Sequence, residues 1–316
     1  MQAKDEIQAS APRAGDLREQ VTSRIVALLE QGLPACRERW TVAAQHGIPC
    51  NGKTGERYHG VNVLLLWAAA MERGYTFNVW MTYRQAERLG AQVRRGERGV
   101  MGVFFQALEG RDRGIVETRS AISAGEREGD QQEEGTHGRR LVCRSFWLFN
   151  VAQIDGLPDA VAAMALTRSD ARFTPIEAAD RLIDASGAVI RHGGSEAFYS
   201  PSHDEIRLPP PACFKRPETY YATALHELVH FTGHPSRLNR DFGQRFGDAA
   251  YAFEELVAEL GSAFLMADIG LVDATIEGHA DYLQAWLQIL RSDKKAIFTA
   301  ARRAEQAGAF LVACRR

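Results

Sequence analysis

The segment that most restricts the fold of this chain is residues 224–234, with the sequence ALHELVHFTGH. The surrounding pattern, PETYYATALHELVHFTGHP, predicts a helix that ends near Gly233, because glycine commonly follows the last helical turn. On such a helix His226 and His230 lie four residues apart, so both imidazoles project from one face about one turn apart. Two imidazoles in this arrangement can bind the same divalent cation.

Glu227 lies beside the first of these histidines, and the resulting His-Glu-x-x-His spacing is typical of zinc peptidases. In such a site the metal activates a water molecule, and a carboxylate takes its proton as it attacks a carbonyl carbon. The alternative is a helix that merely carries two histidines, since the short pattern also arises by chance. A metzincin site is excluded because its third histidine would fall at Ser236. We interpret His234 as a residue of the C-terminal turn of the helix.

A third ligand is predicted from the segment YAFEELVAELGSAFL, which has the apolar pattern of a second helix. Zinc peptidases of the glutamate type place a ligand glutamate on a second helix, with another acid four residues later. Glu255 is therefore the predicted ligand, and Glu259 is predicted to orient a ligand histidine. Glu254 is the alternative ligand. One acid of the adjacent pair could instead serve only to stabilise the helix N-terminus through its dipole.

Two further parts of a peptidase site are expected. A side chain should stabilise the oxyanion that forms during peptide hydrolysis. An extended peptide could add to an edge strand by backbone hydrogen bonds, and the segment EIRLP, residues 205–209, is predicted to be that edge. The candidates for the oxyanion stabiliser are His279, Tyr282, Tyr220 and Tyr221.

The first half of the chain carries an uneven share of the positive charge. Residues 51–100 contain eight basic and four acidic residues, a net charge of +4, whereas residues 151–316 contain 17 basic and 22 acidic residues, a net charge of −5. Phosphates attract arginine and lysine, and unpaired bases stack on aromatic rings, so the basic segment is predicted to bind nucleic acid. The alternative is a solvated charged face with its tryptophans in the core. The predicted contact residues are Lys53, Arg57, Tyr58, Trp80, Tyr83, Arg84, Arg94, Arg95 and Arg98.

The organisation of the chain predicts an α+β protein of two domains, which suits its length of 316 residues. Residues 15–155 form the N-terminal α/β domain that contains the basic segment. A linker covers residues 156–172, and residues 173–316 form a mostly helical domain with a small sheet. Residues 1–14 are expected to be disordered. The charged, glycine-rich residues 108–140, between two predicted strands, are expected to form a mobile loop.

Cysteine usage and hydropathy indicate a cytoplasmic protein. The chain has five scattered cysteines with no Cys-x-x-Cys pair, a pattern typical of reduced thiols. No apolar run approaches the roughly 20 residues needed to span a bilayer, and the polar N-terminus does not look like a secretory signal. A monomer without a membrane partner is therefore expected.

Several stretches resemble one known family. NGKTGERYHGVNVLLL and WMTYRQAERLGAQVRRGERG are similar to the N-terminal domain of ArdC-type antirestriction proteins and related conjugative primases, as is LFNVAQIDGL at the domain junction. YYATALHELVHFTGHPSRL and FGDAAYAFEELVAELGSAFL resemble the zincin-like metallopeptidase domain of the same proteins. The resemblance covers nearly the whole chain, in order.

This resemblance implies an N-terminal single-stranded DNA-binding domain and a C-terminal zincin-like metallopeptidase domain. It implies a bacterial protein, encoded on a plasmid or other mobile element, that protects incoming DNA from restriction. The ligands would be His226, His230 and one of Glu254 and Glu255, around one Zn²⁺ per chain or another divalent metal such as Mn²⁺. The expected partners are single-stranded DNA, with duplex DNA left open, and an unknown protein substrate such as a restriction enzyme or another DNA-bound protein. The alternative function is a non-catalytic protein that coats single strands and whose metal domain is structural.

Overall fold

A computed structural model gives the architecture of most of the chain. The structure describes residues 14–30, 47–108, 140–166, 174–243, 249–271 and 283–314. Three predicted segments lie largely outside these ranges and remain predictions: the disordered residues 1–14, the mobile loop at 108–140 and the end of the linker.

The N-terminal domain packs helices against a small sheet. The helices of this part are α1 (Ala14–Leu29), α2 (Val61–Glu72), α3 (Tyr83–Arg88) and α4 (Asp159–Leu166). The strands are β1 (Cys50–Asn51), β2 (Val79–Met81), β3 (Gln92–Val93), β4 (Val100–Leu108), β5 (Arg140–Asn150) and β6 (Ile154–Asp155). The sheet has the strand order β1-β2-β5-β4, in which β1 and β2 are parallel and the other pairs are antiparallel. Strand β3 pairs with β6 in a separate two-stranded sheet.

The C-terminal domain is mostly helical and has a three-stranded sheet. Its helices are α5 (Pro175–Ser186), α6 (Pro217–Thr232), α7 (Ala249–Ile269), α8 (Leu283–Ser292) and α9 (Ala296–Ala313). Its strands are β7 (Val189–His192), β8 (Phe198–Ser200) and β9 (Glu205–Leu208). The sheet order is β7-β9-β8, so the predicted edge segment, residues 205–209, supplies the central strand and the prediction is wrong. Both sides of β9 are already hydrogen-bonded, and the edges are β7 and β8.

Two local hydrogen-bond motifs fix the ends of β2 and β5. Thr82 caps α3, because its hydroxyl accepts a hydrogen bond from the Gln85 backbone at 3.3 Å and its own backbone N–H donates to the Gln85 side chain at 2.8 Å. The cap makes Tyr83 the first residue of a helix that begins directly after β2. At the end of β5, the side chain of Asn150 accepts a hydrogen bond from the Ala152 backbone at 3.0 Å, and the Asn150 backbone N–H donates to the Gln153 side chain at 2.9 Å.

A continuous apolar cluster joins the two domains, so the α+β two-domain fold is confirmed with a shared core. Trp67 of α2 packs against Phe264 of α7, with ring centroids 5.7 Å apart. Phe105 of β4 meets Phe298 of α9 edge to face at 5.9 Å. Helix α4 occupies part of the expected linker, and its Val161 is buried. In the part of the chain that the structure describes, no helix is long and apolar enough to cross a membrane.

Candidate metal centre

Helix α6 carries the histidine pair through the middle of the C-terminal domain. Every residue from 222 to 232 is buried, so both histidines face other elements of the protein. Helix α7 lies close to this segment because Gly261 has no side chain. A Cβ atom placed on Gly261 would lie 2.9 Å from a methyl group of Val229, closer than packed carbon atoms come. Gly261 therefore lets α7 approach the helix that carries the histidines.

The structure brings His226, His230 and Glu255 together, and one potential ligand atom from each lies within 4.8 Å of the others. The two Nε2 atoms are 3.2 Å apart, and each lies 3.5 Å from a carboxylate oxygen of Glu255. All three side chains are at least nine-tenths buried. His234 lies outside this group and its Nδ1 is 2.8 Å from the hydroxyl of Ser236, which agrees with its interpretation as a turn residue.

Glu254 contacts the opposite side of one imidazole. Its Oε1 lies 3.2 Å from Nδ1 of His230, while Nε2 of the same ring faces Glu255. Glu254 therefore occupies the position of an acid that orients a ligand histidine, rather than that of the alternative ligand. Glu259, predicted for an orienting role, is buried one turn further along α7, and its role stays a prediction.

Arg240 holds Glu254 in place from the segment that follows α6. It donates to both carboxylate oxygens, with Nη2 2.7 Å from Oε1 and Nε 2.9 Å from Oε2. The same guanidinium donates to the carbonyl of Val229 at 2.7 Å and the hydroxyl of Thr232 at 2.8 Å. A Cβ atom on Gly233 would lie 2.9 Å from Nη2, so the glycine leaves room for this clamp. The sequence pattern gave no signal for Arg240, a single arginine in a polar segment.

The buried charges around the site favour a divalent cation. Glu227, Glu254 and Glu255 are all buried, and Arg240 is the buried basic partner in the contacts described. Burial opposes a charge on His230, but its contacts with Glu254 and Glu255 and the charge of Glu227 outweigh burial and raise its pKa. Burial also acts to raise the pKa of Glu254, but hydrogen bonds from His230 and Arg240 outweigh it and lower that pKa. Since buried charges require partners, these residues fit a divalent metal ion.

The predicted oxyanion stabilisers are not brought to the centre by any described contact. The hydroxyl of Tyr221 donates to Asp180 at 2.7 Å, and the hydroxyl of Tyr220 lies 3.0 Å from Nε2 of His192. Both tyrosines therefore have partners on α5 and β7. The other two candidates, His279 and Tyr282, lie outside the described residues.

Two of the predicted DNA-contact residues are core residues. Trp80 is fully buried and Tyr58 is 6% exposed. The Tyr58 hydroxyl donates to the Trp80 carbonyl at 3.3 Å and accepts from the Asn51 side chain at 3.1 Å. The prediction that these two rings contact bases is therefore wrong for this structure, because a buried ring does not offer a face on which a base can stack.

Two of the predicted arginines are used within the protein. Arg57 forms an ion pair with Asp268 of α7, across the domain boundary. Arg94 pairs with Glu97 at 2.9 Å and Asp155 at 3.3 Å. The remaining predicted contact residues are exposed, and their role stays a prediction: Lys53, Tyr83, Arg84, Arg95 and Arg98.

One exposed aromatic residue was missed in the sequence. Trp147 of β5 is 56% exposed, the largest exposed fraction among the large apolar side chains of the described residues. Alternation of apolar and polar residues normally separates the two faces of a strand. In the segment FWLFN this alternation fails, because consecutive residues are apolar. The sequence therefore gave no means of distinguishing Trp147 from its buried neighbours.

Comparison with known proteins agrees with this division of the chain. Residues 177–303 match the family model of a zincin-like metallopeptidase, and residues 15–149 match that of the N-terminal domain of the anti-restriction factor ArdC. Fold and site thus define a protein with an ArdC N-terminal domain followed by a zincin-like metallopeptidase domain.

Proteins that this chain matches over most of their own length show the family to which it belongs. The crystal structure of antirestriction protein ArdC from plasmid R388 is 38% identical in its metal-free form, with a TM-score of 0.74 over 95% of this chain and 98% of that one. Its Mn(II)-bound form is 37% identical over the same shares, with a TM-score of 0.72. The uncharacterized protein y4eC of Sinorhizobium fredii (strain NBRC 101917 / NGR234) is 42% identical over 92% of this chain and 90% of its own length. The chain belongs to the ArdC antirestriction family. It is also 38% identical to a DNA primase TraC of Escherichia coli, of which it spans 27%.

Proposed function

We propose that this protein is a metal-dependent peptidase that binds single-stranded DNA and protects incoming plasmid DNA from restriction. The observation that carries the proposal is the convergence of His226, His230 and Glu255 in a buried site, with Glu227 on the same helix. Two imidazoles and one carboxylate leave room for a water molecule or substrate, as in catalytic zinc sites, whereas structural sites usually have four protein ligands.

Each residue would have a distinct part in peptide hydrolysis. His226, His230 and Glu255 would hold the metal, with Zn²⁺ expected and Mn²⁺ an alternative that the R388 protein's Mn(II)-bound form supports. A bound divalent ion supplies a Lewis acid for attack on a peptide carbonyl. Glu227 would take a proton from the attacking water and transfer it to the leaving amine. Glu254 would hold the ring of His230 in orientation.

An extended peptide substrate would add to the edge strand β8. Tyr199 of β8 packs against Phe231, with ring centroids 6.1 Å apart, and Phe231 directly follows His230 on α6. Backbone groups on the outer side of β8 are available for an added strand, as in other cases of strand addition to a sheet edge. The peptide backbone would then lie alongside the helix that carries the histidines.

The N-terminal domain would hold the protein on the incoming strand. Its exposed arginines and lysine offer contacts to phosphates. The protein substrate would be a protein met on that DNA, such as a restriction enzyme, in the bacterial cytoplasm. A peptidase fixed to DNA acts at a high local concentration of DNA-bound proteins, which connects strand binding with protection.

Replacement of Glu227 tests the catalytic part of the proposal. We expect Glu227→Gln to bind Zn²⁺ or Mn²⁺ about as tightly as the wild type, because the three ligands remain. Proteolysis should fall by about 10²–10⁴-fold, the usual contribution of a general base. Metal binding is measured by calorimetry, and protection by plasmid transfer into restricting and non-restricting recipients.

Glu218→Gln is the matched control, because it makes the same chemical change in the first turn of the same helix. It should bind metal and protect DNA as the wild type does. If Glu227→Gln protects incoming DNA as well as Glu218→Gln, the metal domain is not acting as a peptidase. The protein would then be a non-catalytic coat on single strands with a structural metal site.

A further inference from the structure

Two exposed aromatic side chains of the N-terminal domain lie beside one strand pair. Tyr83 is 44% and Trp147 is 56% exposed, and they are the large exposed rings described in this domain. A tryptophan that is more than half exposed on a regular strand is unusual, since its ring gains more from burial than most side chains. A single exposed ring does not define a binding site, so the residues around it determine whether it can bind a ligand.

The strand register brings these two residues close to the point where the pairing of β2 with β5 ends. In the β2–β5 pair, Met81 lies opposite Phe149. Tyr83 follows Met81 by two residues and Trp147 precedes Phe149 by two, so both lie just beyond the same register position. Helix α3, which begins at Tyr83, contacts β5. Trp147 shares a strand face with Phe149, because side chains two residues apart point the same way.

A rigid turn rich in arginine adjoins both rings. The hydroxyl of Tyr83 accepts a hydrogen bond from the Gln92 side chain at 3.1 Å, two residues before the turn of residues 94–99 begins. At the other end of the turn, a Cβ atom on Gly99 would lie 3.2 Å from the Cβ atom of Trp147. The turn thus runs from the neighbourhood of one ring to that of the other.

Buried and paired side chains fix the backbone of this turn. Gln153 is 1% exposed and donates to Glu97 at 2.9 Å and to the carbonyl of Arg98 at 3.1 Å. Arg73 donates to the same carbonyl at 2.5 Å. Arg94 donates to the carbonyl of Ala152 at 2.5 Å. These contacts hold the turn in place and leave the side chains of Arg95 and Arg98 exposed.

Three arginines beside the rings extend into solvent. Arg84 follows Tyr83, and Arg95 and Arg98 belong to the turn. All three are exposed, and none has a side-chain ion pair within the described ranges. The surface therefore combines two exposed rings with three cationic groups held on a fixed backbone.

We propose that Tyr83 and Trp147 form a stacking surface for two bases of single-stranded DNA, with Arg84, Arg95 and Arg98 on the adjoining phosphates. This inference rests on the proposed function and gives its DNA-binding step a location. Aromatic rings bind the faces of bases, and guanidinium groups bind phosphates. A duplex hides its base faces in the stack, so exposed rings beside arginines favour an unpaired strand.

The proposed surface is tested by measuring the affinity of the 316-residue chain for a fluorescently labelled 20-nucleotide oligo(dT). Fluorescence anisotropy gives this affinity over a range of salt concentrations. Trp147→Ala and Tyr83→Ala should each weaken binding by about 5- to 150-fold, the effect of losing one stacked base. Their salt dependence should match that of the wild type, because no phosphate contact is lost. Trp147→Phe should retain most of the affinity, since it keeps a ring.

The arginines should behave differently. Arg95→Gln and Arg98→Gln should each weaken binding and lower the slope of log affinity against log salt by about 0.7, the value for one phosphate of a single strand. Arg191→Gln, an exposed arginine of β7 in the other domain, is the matched control and should change neither quantity. Thermal unfolding of each variant checks that the fold is intact.

The outcomes separate the two proposals. If the wild type does not bind oligo(dT), the DNA-binding part of the proposed function is wrong. If the wild type binds, but folded Trp147→Ala and Tyr83→Ala bind equally well, the strand lies elsewhere and only the stacking surface is overturned. Binding of a matching duplex as tightly as oligo(dT), with the same loss in Trp147→Ala, would also contradict stacking on unpaired bases.

Discussion

A single carboxylate, Glu254, has two tasks at the candidate metal centre. It contacts Nδ1 of His230, and it is the partner of the buried guanidinium of Arg240. The first contact orients the ring so that Nε2 faces Glu255, and the second anchors the carboxylate itself. Groups that orient metal ligands commonly affect metal affinity almost as strongly as the ligands do.

Replacing Glu254 should therefore affect both metal binding and stability. We expect Glu254→Gln to lower metal affinity by about 10–100-fold, because His230 loses its orienting charge. It should also destabilise the protein by about 3–5 kcal/mol, because the charge of Arg240 stays buried without its partner. Calorimetric metal titration and urea unfolding measure the two effects.

The double variant Glu254→Gln with Arg240→Met separates these two effects. Removing the unpaired buried charge should restore part of the stability. Metal affinity should remain low, because the orienting carboxylate is still absent. Recovery of full metal affinity in the double variant would show that Glu254 acts on the fold alone.

At the scale of secondary-structure elements, an ion pair between Arg237 and Asp204 connects the segment after α6 to the β8–β9 turn. Arg237 donates to Asp204 at 3.0 Å, and its guanidinium lies 3.6 Å from the centre of the Phe231 ring. The hydroxyl of Tyr199 also donates to Asp204 at 2.8 Å. These contacts position the edge strand β8 relative to the histidine helix, so they connect the proposed peptide-binding edge with the metal centre.

This ion pair should make part of the stability pH-dependent. The hydrogen bond from Arg237 lowers the pKa of Asp204 to about 2, below the value of roughly 3.9 for an unfolded chain. A lowered pKa means that the stabilisation is present above about pH 4 and is lost as pH falls towards 2. Since Asp204 is partly exposed, we expect Asp204→Asn to cost only about 0.2–1 kcal/mol at pH 7.

Urea unfolding of the wild type and Asp204→Asn at pH 7 and pH 3 measures this dependence. The difference between the two free energies of unfolding should shrink at the lower pH. A difference that is equal at both pH values would mean that the charge of Asp204 contributes nothing. Asp180→Asn, which changes an aspartate bonded to Tyr221 on α5, serves as a comparison at a site without an arginine partner in the contacts described.

In the whole molecule, the N-terminal and C-terminal domains share one core. Besides the Trp67–Phe264 contact, ion pairs link Arg57 to Asp268 and His59 to Glu305 across the boundary. Asp268 lies on α7, the helix that also carries Glu254 and Glu255. The two domains are therefore held in one relative orientation in this structure. A DNA strand bound by the N-terminal domain, as proposed, would lie at a defined position relative to the candidate metal centre.

A shared core predicts that the two domains unfold together. Phe264→Ala removes the ring that packs against Trp67 and should lower the free energy of unfolding by about 3–5 kcal/mol. Hydrogen exchange should show the same loss of protection in α2 of the N-terminal domain and in α6 of the C-terminal domain. Loss of protection in α6 alone, or two separate thermal transitions, would contradict a single cooperative unit.

The local part of the site could be predicted from sequence. The spacing of His226 and His230 determines their common face, because residues four apart in any α-helix lie about one turn apart. The same holds for the cap at Thr82, whose hydrogen bonds span three residues. The predicted helix around Glu255 was also found, because its apolar stripe has a helical period.

Only the tertiary structure could decide which of the adjacent Glu254 and Glu255 lies next to the Nε2 atoms of both histidines. Consecutive helical residues point about 100° apart, so the docking of α7 on α6 brings Glu255 to the Nε2 atoms of the two histidines and Glu254 to Nδ1 of His230. The same limit explains why Trp80 is buried and Trp147 exposed although both lie in apolar strands. Local sequence determines the period of an element, whereas burial depends on which distant elements pack against each of its faces.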